Sequence, residues 1–384
     1  MVSHYVQNAI LRKDQKMTIK LREWQNECVV KSLNWLTKVK KDKHFVINAA
    51  PGSGKTITSC VIANELIEKK LVDRVVVIAP RKKVVQQWTE DFNLVTDRYM
   101  GKITSSDPDA SDYSHDLAMT WHSVKGLADA LDSICKDNNV LVICDEHHHA
   151  ALNAAWGNDV ESGLSSAKYV LILTGTPIRS DGDPTVWVNL DGDNGVKHPA
   201  DGSYTLTYGE AVDLGYCRPV TFHRHNAEFN VSIDDDTYIK VTGRDDPFIP
   251  DDIRSVLSQS QLQRSIDFYG LARQPRYEKD NNTPSKDSFH SSMVDWALEK
   301  LDDLKLIMPD AGGLVIAPSI QMAEYFQKLI QIMDKDGQKP ILVHSGLSNP
   351  EEKISAFEHN KDQKWLVSVN MVSEGVDIPR LRVL

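Results

Sequence analysis

The stretch Ala49–Thr56, AAPGSGKT, constrains this chain more than any other because of what stands on either side of it. Before it runs HFVINA, a short apolar segment. After it runs TITSCVIANELIEKK, in which Ile57, Cys60, Val61, Ala63, Leu66 and Ile67 recur near helical spacing. A strand, a glycine-rich turn and a helix in that order make a unit of a parallel α/β sheet. Gly52 and Gly54, with Ser53 between them, let backbone N–H groups curl around phosphate oxygens. Lys55 supplies the compensating charge, and the Thr56 hydroxyl is a ligand for Mg2+. The first position is Ala49 where the strict pattern has glycine. An incidental glycine-rich turn would not need a strand before it and a helix after it.

The same alternation continues along the chain. RVVVIAP, DLAMTW, VLVICDE and YVLILTG are further strand candidates in the first half. From ALEKLDDLKL onward a second series starts: GGLVIAP, a helical SIQMAEYFQKLIQIM, PILVHSG, a helical PEEKISAFE, then KWLVSVN. The expected fold class is α/β, with two parallel-sheet lobes. Residues 1–20 read as an N-terminal segment, 21–222 as the first lobe, 223–290 as an irregular connector and 291–384 as the second lobe. Residues 273–288, RQPRYEKDNNTPSKDS, are the most linker-like part. Residues 181–205, rich in Asp and Gly, read as loops. DGDNG within them fails as a calcium loop, since Gly195 and Gly202 stand where ligands are needed.

VICDEHHHAA, residues 142–151, sets two carboxylates and three imidazoles behind an apolar run. A nucleotide held at Lys55 needs a second Mg2+ anchor and a group to orient water, roles carboxylates fill at the end of a neighbouring strand. Asp145 is the candidate for the metal and Glu146 for the water. Zinc is the rival reading, but consecutive side chains on a strand end point in alternating directions and cannot all face one tetrahedral ion. His148 is expected to face the nucleotide cleft and sense its state; His147 and His149 read equally well as solvated or packed.

Bulk properties narrow the setting. With 54 acidic against 44 basic residues the net charge is −10, so any phosphate polymer must be held by a local Lys/Arg groove rather than by a basic coat. No apolar run approaches the roughly 18–20 residues that span a bilayer, and MVSHYVQNAILRKDQK lacks the apolar centre of a secretory signal, which makes the cytoplasm the default compartment. Five cysteines occur without a C-x-x-C pair, as expected of buried, reduced thiols.

With AAPGSGKT, DEHH and LTGTPIR in that order, the chain resembles superfamily 2 helicases and translocases of the DEAD/DEAH-box type, close to the Res motor subunits of type III restriction enzymes. The likeness covers most of the chain and implies two RecA-like lobes of the P-loop NTPase fold, the second incomplete. It implies ATP and Mg2+ as cofactors and a nucleic acid, DNA in preference to RNA, as partner. LREWQ is similar to the adenine-reading motif, with Gln25 as the reader. APRKKVVQQW is similar to a motif that touches the nucleic-acid backbone, which makes Pro80, Arg81 and Lys82 contact candidates. MTWHSV looks like the next backbone motif, with Thr120. Thr174 and Thr176 match the motif that couples hydrolysis to lobe movement. SVNMVSEGVDIP resembles a motif in which Gly375 and Asp377 meet the nucleotide and Asn370 the strand. Trp24 and Trp88 read as packing residues rather than base-stacking platforms.

Two departures follow from the resemblance. Val369 and Asn370 stand where a Thr-Asp pair is common. The family's next motif, Q-x-x-G-R-x-x-R, which carries an arginine finger, does not occur before Leu384. Since such a finger is worth roughly 10³–10⁵ in turnover, the expectation is a fragment of a longer protein that binds ATP better than it hydrolyses it. The leading function is an ATP-dependent helicase or translocase. Alternatives are a motor subunit attached to a nuclease or other complex subunits, an ATP-switched nucleic-acid clamp and, last, a small-molecule P-loop kinase.

Overall fold

The computed structural model describes residues 19–103, 115–124, 126–147, 162–175, 187, 189–190, 196–225, 228–232, 238–242, 258–260, 263, 267–369, 372 and 378–384. The chain divides into two compact units, Met1–Val220 and Thr221–Leu384.

In the first unit the strands are β1 (His44–Ala49), β2 (Arg74–Ala79), β3 (Met100–Ile103), β4 (Asp116–Thr120), β5 (Val140–Cys144), β6 (Tyr169–Thr174) and β9 (Ser203–Leu206). A short antiparallel pair, β7 (Asn189–Leu190) and β8 (Val196–Lys197), stands apart from them. The seven form one sheet in the order β3-β4-β2-β5-β6-β1-β9, and every pairing is parallel. Helices α1 (Glu23–Asn34), α2 (Lys55–Glu68), α3 (Lys82–Thr96), α4 (Trp121–Val124), α5 (Ala128–Asp137) and α6 (Tyr208–Asp213) connect or flank them.

The sheet is covered on both sides, which explains why VLVIC and YVLILT are apolar at every position. Alternation sorts these residues into two cores. Val75, Val77, Leu141, Ile143, Leu171 and Leu173 pack with α1, α2 and α3; Val76, Ile78, Val142, Cys144, Val170 and Ile172 pack with α4 and α5. Leu66 of α2 is wholly buried in the first core, where truncation to alanine costs about 2–5 kcal/mol. Cys28, Cys60, Cys135 and Cys144 are buried free thiols, and Cys217 is half-buried. Burial pushes the buried thiols up, that of Cys135 to about 11.

The second unit holds a four-stranded parallel sheet in the order β13-β14-β12-β15, built from β12 (Gly312–Ile316), β13 (Ile341–Val343), β14 (Trp365–Ser368) and β15 (Leu381–Val383). Helices α8 (Phe289–Ile307), α9 (Ile320–Met333) and α10 (Pro350–His359) flank it. Ser288 and Ser319 cap α8 and α9 by accepting hydrogen bonds from the Ser291 and Met322 N–H groups. Arg380 is buried and donates to the carbonyls of Asp310, Phe357, Asn360, Lys361 and Gln363, tying the end of α10 to the strand entrances. Both units are thus RecA-like parallel sheets with helices on their faces.

Two stretches read as irregular contain regular structure. Within 223–290 lie an antiparallel pair, β10 (Glu228–Ser232) and β11 (Tyr238–Thr242), and a short helix α7 (Phe268–Ala272), which share a small core of Phe229, Ile239, Val241 and Leu271. At the end of 181–205, SYTL forms edge strand β9, whose partner β1 lies far back in the chain.

Candidate nucleotide site

Because the strands of the first sheet run parallel, their carboxyl ends share one edge, and the candidate groups of this unit other than Gln25 end or follow one of them. The glycine-rich loop leaves β1, Arg81 and Lys82 follow β2, Thr120 ends β4, Asp145 follows β5 and Thr174 ends β6, beside Asn48 of β1.

The loop turns into α2 through Gly52 and Gly54, both with positive φ (74° and 104°). At Gly54 a side chain would be strained by that backbone, and its Cβ would also lie 2.8 Å from Gln25 Nε2, so the glutamine amide would have to shift. Lys55, the first residue of α2, is buried, and its Nζ donates to the Ala49 carbonyl at 2.9 Å. Gly175 is pressed against that ammonium, where a Cβ would come within 2.9 Å of Nζ. Thr56 is half-buried beside it. The Ser53 and Thr174 hydroxyls are buried with no hydrogen-bond partner among the described residues. Backbone N–H groups at the start of a 14-residue helix, an ammonium held by one carbonyl and two unpartnered hydroxyls fit a polyphosphate.

Gln25 is carried to this loop by α1. Its Nε2 donates to the Gly54 carbonyl and to Thr58 Oγ1, both at 3.1 Å, while its Oε1 accepts from the Arg22 N–H at 2.8 Å. Three further residues brace the loop without having been singled out by sequence. Arg22 Nη1 donates to the Ser53 carbonyl at 2.7 Å and its guanidinium lies over the Tyr216 ring; Cys217 Sγ donates to the Pro51 carbonyl at 3.0 Å. Arg22 is adjacent to the Gln25 motif and could have been suspected. Nothing in the pattern around Tyr216 and Cys217 points to a loop so far upstream.

Asp145 is buried and held by hydrogen bonds on its main chain and its carboxylate, the latter including one from the Glu146 N–H. Its N–H donates to the Ile78 carbonyl at 2.8 Å, its Oδ2 accepts from Trp88 Nε1 at 2.8 Å, and its main-chain oxygen accepts from Trp121 Nε1 at 3.0 Å. Burial pushes its carboxyl up to about 6, against the pull of the Trp88 hydrogen bond, and the charge of Glu146 adds to the rise while that of Lys55 opposes it. Glu146 has left-handed backbone (φ 48°), turning the chain sharply after the strand. His147 is buried with its ring edge-on to Trp121. The oxygen-rich set of Thr56 and Asp145 suits Mg2+.

Of the remaining candidates, Pro80 and Arg81 are half-buried and Lys82 is exposed at the start of α3. Thr120 is buried, its hydroxyl 2.8 Å from Ser123 Oγ. His148, Thr176, Asn370, Gly375 and Asp377 lie outside the described residues.

Residues 18–179 match the family model of the type III restriction enzyme, res subunit. The match lies within the first unit. An uncharacterized protein of Mycobacterium leprae is 31% identical over 370 residues, covering 94% of this chain and 56% of the relative. A candidate helicase of the Sulfolobus islandicus filamentous virus is 26% identical over 372 residues, covering 94% of this chain and 58% of its own. The chain therefore spans about half the length of the curated relatives it matches. The chain also shares its fold with LlaBIII, an ATP-dependent Type ISP restriction-modification enzyme solved bound to DNA, at a TM-score of 0.52 and 15% identity over 94% of this chain and 25% of that one.

Proposed function

We propose that this chain is the ATP-driven motor part of a protein that moves along nucleic acid, with DNA as the preferred strand. One observation carries the reading: Lys55 and Asp145, far apart in sequence, are delivered to the same sheet edge, close enough for the lysine's charge to act on the aspartate. Bound with Mg2+, ATP supplies the phosphoanhydride whose cleavage drives movement. Lys55 neutralises phosphate charge, Thr56 and Asp145 hold the metal, and Glu146 orients the attacking water. Gln25 fastens the loop from behind. Arg81 and Lys82, at the start of α3, take phosphates of the strand, and Thr174 and Thr176 pass the state of the nucleotide onward. DNA is favoured because the type ISP enzyme sharing this fold is bound to DNA. The Res match equally supports a motor subunit of a restriction-type complex, which would use the same site.

The test is Mg-ATP affinity in Lys55→Ala by calorimetry. A charge-assisted hydrogen bond contributes about 1.5–3 kcal/mol, so affinity should fall roughly 10- to 100-fold. Unchanged affinity rejects the site. Comparing ATPase stimulation by DNA and RNA oligonucleotides decides the preferred strand.

A further inference from the structure

We propose that Trp88 and Trp121 are positioning residues through which a strand held at the first unit is felt by Asp145, an inference that rests on the proposed function. Three neighbouring strand ends, in the order β4-β2-β5, meet here. Asp145 follows β5. Trp121 follows β4, directly after Thr120, and its Nε1 donates to the Asp145 main-chain oxygen at 3.0 Å. Trp88 lies two turns into α3, the helix that begins after β2 with Arg81 as its cap, and its Nε1 donates to the Asp145 carboxylate at 2.8 Å.

The two indoles come from opposite faces of the sheet, since Trp88 belongs to one core and Trp121 to the other. Both rings are buried, and a buried indole N–H needs an acceptor. Two such donors converging on one residue fix its carboxylate and its carbonyl separately. The rest of the architecture makes the linkage mechanical. Val84, Val85, Trp88 and Phe92 pack one face of α3 into the core, so the helix moves as a body. Arg81 and Trp88 are seven residues apart, about 10 Å along a helix axis. A phosphate drawn against Arg81 and Lys82 therefore displaces the indole that orients Asp145 Oδ2. A strand contact beside Thr120 acts in the same way through Trp121.

The experiment measures linkage rather than turnover. The Kd of a labelled DNA duplex is measured with and without a saturating non-hydrolysable ATP analogue and Mg2+, and the ratio is the coupling factor, typically about 5- to 150-fold in coupled systems. Three chains are compared: wild type, Trp88→Phe, and a chain with 3-benzothienylalanine at position 88, which keeps the ring's shape and deletes only the N–H. Trp121→Phe tests the second arm, and thermal unfolding of the nucleotide-free chains reports structural damage. The expected result is a coupling factor falling toward one while duplex affinity without nucleotide stays within about threefold of wild type and thermal unfolding is unchanged. Coupling that survives in both the Trp88 and the Trp121 variants overturns the inference alone, as does a parallel loss of stability and both affinities in the benzothienyl chain, which would mark the indole as purely structural. A wild-type chain that binds neither analogue nor duplex breaks the parent reading, and this one with it.

Discussion

The two edges of the first sheet each bury an aspartate, and they satisfy it differently. Asp116 opens β4 at the amino edge, where Arg98 Nε and Nη2 donate to its two oxygens at 2.7 and 3.1 Å and the Val75 N–H adds a bond at 2.7 Å. Asp145 follows β5 at the carboxyl edge, where its carboxylate takes a hydrogen bond from a neutral indole. Burial raises both carboxyls, but Arg98's charge opposes the rise at Asp116, whereas Asp145 reaches about 6. A carboxylate matched by a guanidinium is part of the scaffold. One held by a neutral donor fits the proposed role of meeting a cation that arrives with a ligand, and among the described residues the same edge also leaves the Ser53 and Thr174 hydroxyls without a partner.

The largest effect that could break this comparison is expected at Asp116. Asp116→Ala leaves Arg98 without its partner, and breaking a buried pair costs about 3–5 kcal/mol. Arg98 is about a third exposed, so the lower end applies, about 3 kcal/mol or a melting temperature lowered by roughly 6–12 °C. Asp145→Asn should do the opposite in the ligand-free chain. Its folded carboxyl binds a proton below about pH 6, whereas the unfolded one does so only below its ordinary 3.8. The wild type is therefore destabilised as pH rises through that window, and fully so above it. The asparagine variant should be more stable by about 1–3 kcal/mol at pH 8, with the gap closing between pH 6 and 4. Denaturant melts at pH 4, 6 and 8 measure this, and equal destabilisation by both substitutions would erase the distinction between the edges.

Much of this was legible in sequence because the relevant physics is local. A strand covered on both faces must be apolar at consecutive positions, so VLVIC and YVLILT announce central strands, and GSGKT between a strand and a helix announces the tight turn that opens α2. What stayed hidden depends on which strands become neighbours. SYTL is only partly buried and pairs with β1 across more than half the unit, so no local pattern marks it as the seventh strand. Trp88 sits at a core position of an amphipathic helix and reads as packing, which it is; that its N–H finds Asp145 follows from β2 and β5 being adjacent. Gln25 was legible as a member of the site, but its hydrogen bonds here go to the loop, information carried by the register of α1 against α2 rather than by LREWQ.

The smallest predicted effects sharpen the comparison most, because they concern groups that a stability-optimised edge would have satisfied. Ser53→Ala and Thr174→Val each remove a buried hydroxyl with no partner among the described residues. Deleting a paired hydroxyl typically costs about 0.5–1.5 kcal/mol, whereas deleting an unpaired one relieves a desolvation penalty. Ligand-free stability should therefore change by no more than about 1 kcal/mol, with the sign toward stabilisation. Mg-nucleotide affinity should fall a few-fold in the same variants, since each loses a donor available to phosphate or to its water shell. A loss of stability in both, with affinity unchanged, would mean that these hydroxyls serve the fold. The carboxyl edge would then be as fully satisfied as the amino edge that holds Asp116.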